Sequence, residues 1–139
     1  MNKAQLRQLA DDRISDASCL IAGGRWSGAF YLAGYAVECG LKACIMAYVE
    51  ASGAIFQDRK YSEKCWTHDL EELLALANLK PTLNIDAATN PTLFTNWTVV
   101  KDWKETSRYD STIDMKKARA LYRAATGRNG VLAWLRLNW

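Results

Sequence analysis

The sequence predicts a single all-α domain over residues 1–139, an up-and-down bundle of four main helices and one shorter helix. Two observations predict this fold class. Apolar residues recur at steps of three and four through most of the chain, and no segment alternates apolar and polar residues with the period of two that marks a half-buried strand. Breaker residues then divide the chain into five helical segments. A chain of 139 residues is also long enough to bury a core of its own.

The first two segments predict helices over residues 2–22 and 26–51. One apolar stripe of the first helix consists of residues at alternating steps of four and three, namely Leu6, Ala10, Ile14, Ala17 and Ile21. Gly23 and Gly24 end that helix, as glycine commonly does. The second helix contains GAFYLAGYAVECGLKACIMAYV at residues 28–49, a run in which nearly every side chain is small, aromatic or aliphatic.

A third helix is predicted after a polar stretch. Residues 57–64, QDRKYSEK, have no periodicity and predict an exposed loop. Thr67 is the predicted N-cap of the helix HDLEELLALANL, and Asp69 adds a negative charge to its first turn, where the helix dipole favours one. Pro81 follows the predicted end of this helix.

The fourth and fifth helices complete the bundle. Asn90 is a predicted N-cap with Pro91 at the first helical position, and this helix continues to about Ser107. The last segment runs from about Ile113 to the C-terminus. Two glycines interrupt it within TGRNG, residues 126–130, and each costs about 1 kcal/mol relative to alanine in a helix interior. We therefore expect a kink or a short break there.

The composition is that of a soluble globular domain. Half of the residues are hydrophobic and 24% are charged, and the N-terminus mixes acids and bases before any apolar run, unlike a signal peptide. The second helix is long enough to cross a bilayer, but Glu38 and Lys42 would then lie near the bilayer centre, where a charge costs about 3 kcal/mol. We expect a buried core helix and a cytoplasmic protein with no membrane span. The net charge of +3 permits an acidic partner without requiring one.

The cysteines predict neither a metal site nor secreted-type disulfides. Cys19, Cys39, Cys44 and Cys65 have no CxxC spacing, and His68 is the only histidine that could join them. We interpret them as small buried apolar residues in a reducing compartment, with no metal and no cofactor. Cys65 precedes the predicted helix and His68 opens it, so their side chains need not meet, and a nucleophile pair is not expected.

A polar stripe runs along the apolar second helix. Its members are spaced by four, three and four residues, which puts them on one face of the helix: Tyr31, Tyr35, Glu38 and Lys42. The central Glu-to-Lys pair is flanked by apolar surface, so we expect it to be partly desolvated and to need further partners. Arg108 and Tyr109, in the segment ETSRYD, are the predicted partners. Two interpretations remain open: a structural ion pair that fixes the helix register, or a ligand site.

Two further polar features have a structural and a functional interpretation each. His68, at a helix start, either caps and packs beside Trp66 or is a titratable group near the polar centre of the bundle. A basic stripe on the last helix is either a solvated face or a phosphate contact, and its members are Lys116, Arg119 and Arg123.

In chain order, the amphipathic first helix, AFYLAGYAVECGLKACI, THDLEELL, a late RY pair and GVLAWLRLNW resemble HEPN domains, the higher eukaryotes and prokaryotes nucleotide-binding helical bundles. The similarity spans almost the whole chain. It is most specific in the small-and-aromatic run into Glu38, Leu41 and Lys42, supported by the Thr-His-Asp-Leu sequence at residues 67–70. Members often have a proline where this chain has Asp110.

The resemblance implies a helical bundle, commonly a dimer, with a role in toxin–antitoxin, defence or RNA-processing systems. Many members are encoded beside, or fused to, a minimal nucleotidyltransferase. Others are metal-independent ribonucleases that use an arginine followed, after four to six residues, by a histidine. Here the positions that such an arginine would occupy before His68 are Tyr61, Ser62 and Glu63, and no histidine follows Arg108. RNA cleavage of this kind needs a group that exchanges a proton near neutral pH, so the usual ribonuclease mechanism is not expected.

Three functions follow as hypotheses. The leading one is a non-catalytic HEPN-type homodimer that binds a nucleotide, an RNA or a partner protein such as a nucleotidyltransferase, as one half of a two-component system. Its predicted ligand-binding residues line one polar cleft: Glu38, Lys42, Arg108, Tyr109, His68 and Tyr35. The first alternative is a ribonuclease whose non-standard site combines Arg108, Tyr109 and His68. The second is a structural dimerisation module in which the Glu38–Lys42 pair is an internal brace.

Overall fold

The computed structural model describes residues 1–56 and 58–139, and every regular element in those ranges is helical, which confirms the all-α bundle. The α-helices are α1 Lys3–Ala22, α2 Trp26–Ser52, α3 Tyr61–Lys64, α4 Leu70–Leu76, α5 Lys80–Thr89, α6 Pro91–Val100, α7 Met115–Ala125 and α8 Val131–Arg136. Two short 3₁₀ elements join them, Ala54–Phe56 and Glu105–Tyr109. We refer to the second as the 105–109 segment.

Helix α2 lies at the centre of the bundle. It packs along α1 and also contacts α4, α7, α8 and the 105–109 segment. By length and composition alone α2 could cross a membrane, but 61% of its most apolar window is buried inside the bundle. This is the environment of the core helix in a soluble protein, as the charges within α2 led us to expect. The buried residues of α2 on several sides, among them Ala33, Val37 and Leu41, show the same.

Most of the predicted helix ends lie where the sequence signals put them. Asn90 caps α6 by accepting a hydrogen bond from the backbone N–H of Leu93, and Pro91 is the first helical residue. The left-handed backbone of Gly53, with φ of 68°, ends α2. The expected break at residues 126–130 separates α7 from α8.

The loop predicted over residues 57–64 is only partly correct. Gln57 lies outside the described residues, but Tyr61–Lys64 form the short helix α3 rather than an exposed loop. Tyr61 is buried in the main core, and its hydroxyl donates a hydrogen bond to the carbonyl of Leu76. A single buried side chain in a charged stretch has no periodicity, which is why the sequence pattern missed this turn.

The middle of the chain is divided more finely than predicted. Asp69, not Thr67, is the N-cap of α4. Pro81 follows the end of α4, as predicted, but it also lies in the first turn of a further helix, α5, where its missing N–H is not needed. Helix α5 was not predicted. The fourth predicted helix ends at Val100, and its expected last residues belong to the 105–109 segment. The main helices therefore number more than four, and most are short.

Trp103 fixes the chain between α6 and the 105–109 segment against α2. Its indole ring is buried and lies on Gly34, where a Cβ atom would fall 2.1 Å from Nε1. Trp103 also stacks with Tyr31, with ring centres 6.0 Å apart, and Tyr31 stacks with Tyr35. Gly34 is thus required for a close approach, which holds the 105–109 segment beside the polar stripe of α2.

Candidate functional site

Glu38 is the centre of the polar stripe on α2 and, among the described residues, the one buried side chain that carries a charge, at 2% exposure. Its Oε1 atom accepts a hydrogen bond from Lys42 Nζ at 2.7 Å, one helical turn away. The same atom lies 2.8 Å from Nδ1 of His68. Two polar side chains from two parts of the chain therefore converge on one carboxylate, which offsets the loss of hydration on burial.

His68 extends this contact to a second carboxylate. Its Nε2 atom lies 2.9 Å from Oε2 of Glu105, at the start of the 105–109 segment. Carboxylates only accept hydrogen bonds, so both contacts are complete when the imidazole carries a proton on each nitrogen. The result is a connected chain of four side chains, which we call the polar cluster: Lys42, Glu38, His68 and Glu105.

The polar cluster has one buried member, Glu38, and three partly exposed members. Glu38 is sealed from solvent, whereas the side chains of Lys42 and His68 are 23% and 45% exposed. The buried carboxylate therefore orients the Lys42 ammonium, which keeps N–H groups that a ligand in solvent could reach, whereas both ring nitrogens of His68 are engaged by carboxylates. This is the arrangement by which a protein holds polar groups in a fixed geometry before a ligand binds.

The cap of α4 positions His68. The Asp69 carboxylate accepts hydrogen bonds from the backbone N–H groups of Glu71 and Glu72 and ion-pairs with Lys104 at 3.1 Å. These contacts lower the pKa of Asp69, with the hydrogen bond from the Glu72 backbone as the main cause. Because Lys104 directly precedes Glu105, the same ion pair also holds the 105–109 segment against the start of α4.

Arg108 and Tyr109 lie at the other end of the polar stripe. The Arg108 guanidinium lies 4.8 Å from the ring centre of Tyr109, and the neighbouring Tyr109 and Tyr31 raise the pKa of Arg108. Tyr31 precedes Glu38 by seven residues, so it lies about two helical turns, or about 10 Å, away along α2. Tyr109 is 77% exposed. The structure thus brings Glu38, Lys42 and His68 together and puts Arg108 and Tyr109 on the same face but outside this cluster.

Glu105 is the residue that sequence reasoning missed. We expected the ETSRYD segment to complete the Glu38–Lys42 pair through Arg108, but the segment does so through its first residue. The available signal was weak: Glu105 is one charged residue three positions before Arg108. Charge complementarity to Glu38 favoured a cation there, whereas His68 lies between the two carboxylates and makes an acid suitable.

Tyr35 and Cys39 flank Glu38 on α2. Burial and the neighbouring Cys39 and Glu38 raise the pKa of Tyr35, and burial raises the pKa of Cys39 to about 11. Both groups therefore stay neutral near pH 7. Neither is an activated nucleophile, and Tyr35 acts as a stacked aromatic wall beside Tyr31.

The other cysteines are not all buried as expected. Cys44 is buried, but Cys65 is half-buried and Cys19 is exposed, because Cys19 lies on the solvent side of the last turn of α1. Burial raises the pKa of Cys65, and both ring nitrogens of His68 face carboxylates instead of this thiol. With Gln57 left aside, the structure brings together no group of three side chains suited to hold a metal ion.

An apolar groove of about 550 Å³ opens beside the polar cluster. Lys42 lines both, so its ammonium lies at the boundary between charged and apolar surface. The groove walls include Ile45 and Met46 from α2 together with Cys65 and Trp66. Trp66 is largely exposed, which leaves its ring free to stack against a planar group.

Comparison of the chain with models of protein families, with curated proteins and with solved structures gives no match.

Proposed function

We propose that this protein is a non-catalytic HEPN-type bundle that binds a nucleotide at the polar cluster and acts as the helical half of a cytoplasmic two-component system, paired with a minimal nucleotidyltransferase. The observation that carries this proposal is the buried Glu38 carboxylate, which orients the partly exposed Lys42 ammonium at the edge of an apolar groove. The resemblance of the sequence to HEPN domains and the all-helical fold support it.

In this proposal the nucleotide lies across the boundary between Lys42 and the apolar groove. A phosphate would meet the Lys42 ammonium, which has two N–H donors left beyond its hydrogen bond to Glu38. The base would enter the groove and stack on Trp66, a contact that tolerates any base because every base has a π-face. This differs from the predicted cleft, in which Arg108 met the phosphate.

Isothermal titration with a panel of nucleotides tests the proposal. We expect binding to the unmodified protein and a loss of at least tenfold in affinity for Lys42→Met and for Trp66→Ala, about 1.4 kcal/mol each. Lys80→Met removes an exposed lysine from another part of the surface and is the matched control. Arg108→Ala separates this geometry from the predicted cleft, because only the latter loses affinity. No binding by any nucleotide would leave the polar cluster as a structural brace.

A specific observation also favours a ribonuclease with a non-standard site. His68 is held by Glu38 on one nitrogen and is nearly half exposed, and the second carboxylate, Glu105, is also partly exposed and could move aside. A histidine oriented by a buried carboxylate is a common general acid–base arrangement. Labelled RNA incubated with the protein in EDTA decides between the two functions: cleavage that disappears in His68→Ala supports the ribonuclease, and intact RNA supports the binding protein.

We further propose a homodimer, as the resemblance implies. Leu137, at the end of α8, is a large apolar side chain left exposed on the monomer. Light scattering after size exclusion should give twice the monomer mass of 15.6 kDa, and Leu137→Glu should lower that mass. A monomeric mass for the unmodified protein would contradict the dimer.

A further inference from the structure

The charges of this chain are strongly segregated along the sequence. Every acidic residue precedes Met115, and the last 25 residues carry only basic ones: Lys116, Lys117, Arg119, Arg123, Arg128 and Arg136. The modest net charge of +3 therefore conceals a basic C-terminal part and an acidic remainder. Such a separation creates a local field that the net charge does not reveal.

Helix α7 displays most of this charge on one face. Its opposite face is buried through residues such as Ala118 and Leu121, which fixes Lys116 and Arg123 on the solvent side. Among the described residues, no carboxylate forms an ion pair with any basic side chain of α7, whereas Lys3, Lys42 and Arg136 elsewhere are all paired. Asp114 caps α7, and Asp110 accepts a hydrogen bond from Thr112 and interacts electrostatically with Lys117 without forming an ion pair.

Two of the α7 cations rest on aromatic rings of α2 instead. Arg119 lies 5.4 Å from the ring centre of Trp26, and Lys117 lies 5.3 Å from that of Phe30. A cation–π contact holds the side chain without cancelling its charge. The rings of Trp26 and Phe30 lie beneath these cations, so the rings are not free to stack on bases.

The surface around the start of α7 is also partly apolar and concave. Two adjoining depressions of about 490 and 450 Å³ share Ile113 in their walls. Met115 and Val99 are exposed apolar side chains in the same region. Methionine, aromatic residues and arginine are enriched at the centres of protein interfaces, where lysine is usually found only at the rim.

We call the surface formed by the exposed side of α7 and the two depressions the α7 face; its residues are Lys116, Lys117, Arg119, Arg123 and Met115. We propose that the α7 face binds an acidic surface of a different protein. Its basic residues would meet carboxylates while Met115 and the two depressions receive apolar side chains. The proposal goes beyond nucleotide binding, because the α7 face shares no residue with the polar cluster. It names the kind of partner that the helical half of a two-component system would recognise.

A second copy of this chain does not fit the α7 face. A two-fold contact through the α7 face would bring two sets of unpaired cations together, which costs energy. A contact between the α7 face and the acidic part of another copy would be head-to-tail, and such contacts form open chains unless the rotation closes. A long nucleic acid fits less well because it would also pass the acidic remainder of the chain, and because the aromatic rings are covered.

Backbone amide shifts in an NMR titration test the proposal. The probe is a 20-residue helical peptide with one glutamate-rich face and one leucine stripe, and the control probe is a scrambled peptide of the same composition. We expect shifts confined to α7 and the start of α2 with the first peptide. The double variant K116E/R123E should weaken binding at least tenfold, and the matched variant K80E should leave it unchanged.

The possible outcomes all bear on the proposal. Equal binding of the scrambled peptide, or an equal loss of affinity in K80E, would overturn it in favour of a nonspecific charge effect. Saturation of the same amides by oligouridine at a lower concentration than the peptide would overturn it in favour of nucleic acid. The spectrum of K116E/R123E also reports whether the variant is folded, and both substituted side chains are exposed, so a retained fold is expected. A failure here leaves the nucleotide titration of the Lys42 variants untouched.

Discussion

Glu38 is held inside the bundle by two partners that reach it from the surface. The Glu38 carboxylate is closed to solvent, whereas Lys42 and His68 are not. Water therefore cannot replace the two hydrogen bonds to Glu38 unless α2 moves. The energetic role of Glu38 thus differs from that of a surface acid. It constrains where Lys42 and the start of α4 lie, even if its net contribution to stability is small.

We predict that Glu38→Gln lowers the free energy of unfolding by about 1–3 kcal/mol, because a neutral amide leaves Lys42 and His68 without their shared carboxylate. Urea unfolding measures the change. The matched control is Glu50→Gln, which breaks the exposed ion pair with Lys3 and should cost less than about 1 kcal/mol. Equal losses in the two variants would mean that the burial of Glu38 has no energetic weight.

At Gly34, we predict that alanine destabilises the fold by about 1–3 kcal/mol, although alanine normally stabilises a helix interior. Its Cβ atom would overlap the Trp103 indole, so the 105–109 segment must shift away from α2. Gly28→Ala is the matched control on the same helix, because it meets only the flexible end of Leu20. Recovery of stability in Gly34→Ala/Trp103→Leu would identify the overlap as the cause, and a neutral Gly34→Ala would contradict it.

At the scale of elements, α4 and the 105–109 segment are each too short to be stable alone, and they are joined by side chains at their starts. Asp69 caps α4 and pairs with Lys104, and His68 pairs with Glu105. These neighbouring cross-links make the two elements one unit. The geometry of the polar cluster therefore depends on α4 and the 105–109 segment staying together.

The lowered pKa of Asp69 gives a pH dependence with a defined sign. A carboxyl whose pKa is depressed by folding contributes stability above its unfolded value of about 3.9, and that stability is lost as the pH falls through the folded value. We predict that Asp69→Asn, which keeps the cap but cannot ionise, flattens the decline in melting temperature between about pH 4 and pH 3. Asp69→Ala also removes the cap and should cost about 1 kcal/mol at pH 7. Identical acid slopes in the unmodified protein and Asp69→Asn would contradict this.

The elements that the sequence predicted well are those with several buried side chains in register. Helices α1 and α2 follow their apolar pattern to within one residue at each end. The short helices α3 and α5 each bury a single side chain, Tyr61 and Leu83, and one residue cannot define a period. The same reason applies to Glu105: nothing local distinguishes it from a solvated acid, since its partner lies 37 residues away.

At the scale of the whole molecule, stability is unevenly distributed. Helix α2 is buried on several sides, whereas α5 buries only Leu83 and is linked to α8 by a hydrogen bond from Trp134 Nε1 to Asp86 at 2.8 Å. The bundle thus has a well-packed central helix, α2, and a weakly attached helix, α5. The polar cluster lies on α2, and α5 lies apart from it.

We predict that amides of α5 exchange with deuterium at least about tenfold faster than those of α2, a difference of about 1.4 kcal/mol in opening free energy. Asp86→Ala should widen this difference, because it leaves the buried indole N–H of Trp134 unpaired. Mass spectrometry of deuterated fragments measures both. Uniform exchange across α2 and α5 would show instead that the bundle opens as one unit.

His68, the single histidine of this chain, lies between the carboxylates of Glu38 and Glu105. It can therefore serve as a built-in spectroscopic probe of that contact. One imidazole proton resonance, with no other histidine to confuse it, reports directly on the junction of α2, α4 and the 105–109 segment. Any small molecule or partner that disturbs that junction would change the position or the width of this one line. A spectroscopist could therefore screen for ligands on the native protein without adding a dye or a tag.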